Sequence, residues 1–137
     1  MLVDSHCHLD YLEQDLASVI DGAKLAGVKH LLTIGTSEQN AATLQAICAQ
    51  YASVDCTIGV HPLELEQNSP PTLKWLENEA TKPFVVALGE TGLDYHYQQE
   101  NAKQQIASFE LHLAAAKSSK LPVIVHTRKA KADTLHI

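Results

Sequence analysis

A chain of 137 residues, 45% hydrophobic and 19% charged, is expected to fold as one soluble domain, residues 1–137, around a core of its own. Sixteen Asp and Glu against ten Lys and Arg give a net charge of −6, which argues against nucleic-acid binding through a general basic surface. No stretch approaches the ~18 uninterrupted apolar residues of a membrane span, and the start, MLVDSHCHLD, lacks the order of a secretory signal, so a cytoplasmic chain with no membrane partner is expected.

The first apolar run predicts a strand over 2–5 that runs into Ser5-His6-Cys7-His8. Leu16, Val19, Ile20 and Ala23 recur at i, i+3, i+4 and i+7 and predict an amphipathic helix. A strand over 29–35 follows, then a second helix with the stripe Leu44, Ile47, Cys48 and Tyr51. After a strand over 55–60, a third helix is predicted to open at Ser69-Pro70-Pro71, with Ser69 as its cap, and to bury Leu73, Leu76 and Ala80. A strand over 84–89 precedes a longer helix, about 98–120, whose inner face is predicted to carry Ile106, Phe109, Leu113 and Ala116. The last predicted strand is 122–126, and Lys129–Ile137 opens a sixth segment in which Ala132 and Leu135 begin a new stripe.

Strand centres fall every 26 to 38 residues, the length of a strand plus its return helix, so the strands are expected to be parallel. An open doubly wound sheet would carry a glycine-rich phosphate turn after its first strand, and this chain has histidines there. The predicted fold class is therefore α/β, a (β/α)₈ TIM-barrel type with about five of the eight units present. The chain is expected to be the N-terminal part of such a barrel, just over half of it.

In such a fold the C-terminal ends of the strands share one face, where ligands and reacting groups collect. Asp4, His6 and His8 end the first strand, His61 the third, Glu90 the fourth and His126 the fifth. His6 and His8 lie two apart in extended chain, so both imidazoles face one side and can converge on one cation. Glu90 has two carboxylate oxygens and can bridge two divalent ions about 3.5–4 Å apart. His61 is open to three roles: ligand, substrate contact or hydrogen-bond donor behind the ligands. Asp94 and Tyr95 follow Glu90 on a loop and are candidates to orient water or hold a phosphate oxygen, and Arg128 suits bidentate phosphate binding. Asp4 is a candidate to bond an imidazole from behind. His30, His96, His112 and His136 are assigned no role in the site, His112 because it is expected opposite the apolar stripe of its helix. Cys7 alternates away from its neighbouring histidines, and the three cysteines, Cys7, Cys48 and Cys56, lack the spacing of a disulfide framework or a zinc site.

Together, Asp4-Ser5-His6-Cys7-His8-Leu9-Asp10, Gly59-Val60-His61-Pro62, Gly89-Glu90-Thr91-Gly92-Leu93-Asp94-Tyr95 and His126-Thr127-Arg128 resemble the TatD family of metal-dependent deoxyribonucleases. The resemblance runs over the whole chain in the family's order. It implies a barrel of the amidohydrolase-like superfamily, a divalent-metal site, and phosphodiester hydrolysis of DNA, often from 3′ to 5′. It further implies that His6 and His8 bind one ion, that Glu90 is the bridging ligand and catalytic carboxylate, and that His126 binds a second ion. A further histidine after a sixth strand and an aspartate after an eighth have no counterpart in these residues. The expected cofactors are two divalent ions (Mg, Mn or Zn), and the expected partner is DNA with single-stranded ends. Two other readings stay open: an amidohydrolase-type C–N or ester hydrolase on the same scaffold, and a non-catalytic metal-binding piece or a building block that pairs with another copy through its open strand edges.

Overall fold

Each apolar run of the sequence becomes a strand, and each helical stripe becomes the return that follows it. The computed structural model describes residues 2–66, 69–97 and 99–137. The strands are β1 (Leu2–Cys7), β2 (Val28–Thr33), β3 (Val54–Ile58), β4 (Val85–Asp94) and β5 (Val123–Arg128). The helices are α1 (Leu16–Leu25), α2 (Ala41–Gln50), α3 (Leu73–Glu79), α4 (Ala102–Ser119) and α5 (Lys131–His136). All neighbouring strands pair in parallel, in the order β1-β2-β3-β4-β5. A doubly wound sheet reverses its strand order at a switch point; this sheet never does, so its right-handed crossovers generate the curl of a barrel wall. β1 and β5 are its edges.

The main core lies between the sheet and the helices. Ile20 from α1, Leu44, Ile47 and Cys48 from α2, and Leu76 from α3 meet Val54, Cys56, Ile58, Val85 and Leu88 from the strands. The predicted stripe of α1 holds, with Leu16, Val19 and Ala23 packed around Ile20. Asp15 caps this helix by accepting the Ser18 N–H at 3.0 Å.

Three sequence expectations need correction. Helix α3 is capped by Thr72, which accepts the Trp75 N–H at 3.1 Å, and not by Ser69; Pro71 disfavours the helical region for the residue before it, so no helix opens there. Leu73 is consequently exposed. On α4, the predicted start at residue 98 lies outside the described residues. The fully buried face of α4 is Gln105, Ser108, Phe109, His112, Ala115 and Ala116, with Ile106 and Leu113 only partly covered by a smaller cluster around Leu93. His112, expected to face away, is therefore wholly buried. Finally, β1, β4 and β5 run further than predicted, so His6, Glu90 and His126 are inside strands, and Asp94 is the last residue of β4 rather than part of a loop.

His112 is buried as the neutral ring, because desolvation pushes it down to about 4 against the pull of the Ser108 carbonyl. The unfolded chain takes up a proton near pH 6.5 that the folded chain refuses until about 4. Stability should therefore fall as the pH drops through that window, by up to about 1.4 kcal/mol per pH unit from this group. Urea unfolding of the metal-free chain at pH 7, 6 and 5 measures it, and His112→Gln should have a shallower slope than wild type.

Candidate metal centre

Glu90 is held in place by its own backbone. Its N–H donates to Gly35 O, just past the end of β2, at 2.7 Å, and the register of β4 against β5 shifts between Leu88 and Thr91, so Glu90 falls at the irregularity. That offset directs the side chain, 13% exposed, between two groups of histidines. Oε2 lies 3.4 Å from His6 Nε2, and Oε1 lies 3.3 Å from His126 Nδ1. Two sets of ligand-type atoms result, His6–His8–Glu90 and His61–Glu90–His126, each within 4.8 Å.

The tautomer of His126 follows from Asp94. Burial alone would raise the Asp94 carboxyl, but the N–H groups of Tyr97 and His96 and the His126 ring outweigh it and hold it below the usual carboxylate range. The ionised carboxylate only accepts, so His126 Nε2–H donates to Asp94 Oδ2 at 3.0 Å. Nδ1, the other ring nitrogen, lies 3.3 Å from Glu90 Oε1, where its lone pair and that oxygen can share one cation. A carboxylate fixing the far nitrogen is how proteins orient a metal-binding imidazole. The buried Nδ1 of His8 has no hydrogen-bond partner among the described residues. Two imidazole edges and a shared carboxylate, one with an unmet polar requirement, fit a divalent cation.

His61 is arranged differently. Its Nδ1 accepts the Leu63 N–H at 3.2 Å, and burial, then the nearby His126, push the ring down to about 4 against Glu90 and Asp94. The neutral ring carries its proton on Nε2 and offers a donor. To bind a cation through Nε2 it would have to release Leu63. His61 and His126 meet edge to face with centroids 4.4 Å apart.

The TatD related DNase family model matches residues 3–137. The chain belongs to the TatD-related DNase family. Among its relatives, the uncharacterized metal-dependent hydrolase YcfH of Escherichia coli is 41% identical over 141 residues, covering 99% of this chain and 52% of the relative. The 3′-5′ ssDNA/RNA exonuclease TatD of Erwinia amylovora is 34% identical over 119 residues, covering 85% of this chain and 46% of that protein. The crystal structure of the E. coli TatD homolog YJJV superposes with a TM-score of 0.86 at 29% identity, covering 98% of this chain and 54% of that one. The chain thus spans about half the length of the curated TatD-family relatives it matches. The five strands correspond to that part of the TatD barrel, as the fold class predicted from sequence requires.

Within this TatD-type frame the structure brings His6, His8, His61, Glu90 and His126 together. It directs other candidates elsewhere. The Tyr95 hydroxyl donates to Asp133 of α5 at 2.7 Å, and burial with that partner raises it to about 12, so it ties β4 to α5 rather than reaching the rim. Asp94 spends its carboxylate on His126 and on the N–H groups of His96 and Tyr97. Asp4 accepts the backbone N–H of His6 at 3.1 Å, not an imidazole proton. Arg128 is exposed and lies 4.6 Å over the ring of Tyr97. Cys7 turns into the core, where burial, Asp4 and Asp10 raise its thiol to about 11, far from a nucleophile.

The end of β2, which offered no ligand in the sequence, contributes support. Tyr11 stacks on His8 with rings 5.1 Å apart, and its hydroxyl meets Thr36 Oγ1 at 2.6 Å. Asn40 Nδ2 donates to Thr36 Oγ1 and to Asp10 Oδ2. Asp10 and Tyr11 were close enough to the histidine pair to be suspected; Thr36 and Asn40 carry no local signal, because the contact crosses from β1 to β2. No described helix is long and apolar enough to cross a membrane.

Proposed function

We propose that this chain carries the metal-holding rim of a divalent-metal-dependent hydrolase that cleaves phosphodiester bonds of DNA from the 3′ end of single strands. One observation carries the reading: the two oxygens of Glu90 face two different histidine groups. Two divalent ions, of the Mg, Mn or Zn type, would supply Lewis acidity toward a phosphoryl oxygen and the positive charge that a chain of net −6 lacks. His6, His8 and Glu90 would hold one ion, and Glu90 and His126 the other. Asp94 keeps His126 in the correct tautomer. His61 donates from Nε2 to a substrate oxygen, and Arg128 on the exposed Tyr97 ring presents a cation and an aromatic face to a phosphate and a terminal base. A cleft of about 240 Å³ runs between His8, Tyr11, Thr36, His61 and Glu90. The names of relatives support the class: YcfH is called a metal-dependent hydrolase, and the Erwinia protein a 3′-5′ ssDNA/RNA exonuclease.

The test is incubation of the purified chain with end-labelled single-stranded DNA and RNA in Mg²⁺, in Mn²⁺ and after chelation. Stepwise shortening from the 3′ end that stops on chelation is expected. Equal cleavage with chelator overturns the metal mechanism. Intact DNA alongside hydrolysis of amide or ester substrates assigns the amidohydrolase reading instead, and ion binding with no hydrolysis of any substrate assigns the metal-binding fragment.

A further inference from the structure

We propose that helix α4 sets the geometry of the second histidine group, with His112 and Gln105 as positioning residues for His61 and His126. The inference rests on the reading of Glu90 and His126 as ligands of the second ion, with the His61 ring set edge to face against His126.

His112 Nδ1–H donates to Ser108 O at 2.7 Å, the next turn back on its own helix. That bond fixes the tautomer and leaves Nε2 as an acceptor, which takes the Val60 N–H at 3.1 Å. Val60 is 3% exposed, so no water replaces that acceptor. The next residue is His61, whose own N–H donates to Thr36 O at 2.7 Å. The backbone that presents His61 is therefore gripped by α4 on one peptide and by the β2 end on the next.

Gln105 performs the same service on the adjacent strand. Its Oε1 accepts the Asp94 N–H at 2.7 Å and its Nε2 donates to Asp94 O at 3.2 Å, with a second bond to Asn101 Oδ1 at 2.7 Å. One primary amide thus satisfies both main-chain groups of the residue whose carboxylate orients His126. Gln105 and His112 are seven apart, two helical turns, and so share one face of α4. That face is buried yet carries three polar side chains, Gln105, Ser108 and His112, where apolar ones would pack at lower desolvation cost. Gln105 and His112 are spent on backbone within one residue of the site or of its orienting carboxylate.

The experiment is a titration of the full chain with Co²⁺, followed by visible ligand-field absorption, with thermal unfolding of the metal-free form in parallel. In wild type, two binding steps are expected. In His112→Leu and Gln105→Met the first step, from His6, His8 and Glu90, should keep its affinity and spectrum. The second should weaken by about tenfold or more, with an altered absorption band. His112→Gln places an acceptor near the former Nε2 and should restore the second step; His112→Asn places it near Nδ1 and should not. That pair decides the matter even if His112→Leu fails to fold. Variants that bind both ions as wild type does would make α4 an ordinary core helix and overturn the proposal. A wild type with no second step overturns the reading of the site, and this inference with it, a result visible without any variant.

Discussion

Glu90→Gln is expected to lose more than about a hundredfold in divalent-ion affinity at both steps of a titration, and with it any metal-dependent hydrolysis. An amide keeps the shape of the carboxylate but has one oxygen, so it cannot face His6 and His126 with acceptors on both sides. The NH₂ end of Gln would meet one imidazole edge where a cation belongs. The loss exceeds the ~10–100-fold that follows removal of a group behind a metal ligand, because on the proposed two-ion reading a shared ligand is removed from both ions at once. Folding should change little, since Glu90 is not among the core side chains and its backbone bond to Gly35 is kept. Isothermal titration with Mn²⁺, beside thermal unfolding without metal, checks both halves. Full-strength binding of two ions by the variant would remove the bridging role.

The residues that could be read from sequence are those whose role depends on local geometry. His6 and His8 share a side because strand residues alternate, and Glu90 and His126 reach the same rim because parallel strands end together. What sequence could not supply was how each is supported. Gln105 and His112 share the buried face of α4 with Phe109 and Ala116, which the apolar stripe found, but that stripe also drew in Ile106 and Leu113 and passed over the polar pair; polar residues on a helix look solvated until the strand backbones they serve are known. Thr36 and Asn40 act across a strand pair, beyond any spacing rule. The extent of β4 was missed for a related reason. Gly89-Glu90-Thr91-Gly92 has the composition of a turn, yet these residues belong to a ten-residue strand. The glycines there answer to the closeness of β5.

Gly92→Ala should therefore be among the most damaging single-methyl changes in this chain. Gly92 has φ +135°, a backbone state that L side chains rarely adopt, and a Cβ built there would collide with the carbonyl oxygen of His126. That oxygen is strand backbone, paired with β4 in register, so it has no rotamer by which to yield. Relief would require β4 and β5 to part just where Asp94 reaches His126. A cost of about 3 kcal/mol or more is expected, a fall of roughly 10 °C in Tm for a chain of this size. The same substitution at Gly22 supplies the contrast. It is exposed within α1, with nothing within 4 Å of a built Cβ, so alanine should stabilise by about 0.5–1 kcal/mol through helix propensity. Thermal unfolding of the two variants side by side should show shifts of opposite sign. A Gly92→Ala protein that melts with wild type would mean that the close approach of β4 to β5 does not constrain the fold, and that the orientation of His126 must come from its side-chain partners alone.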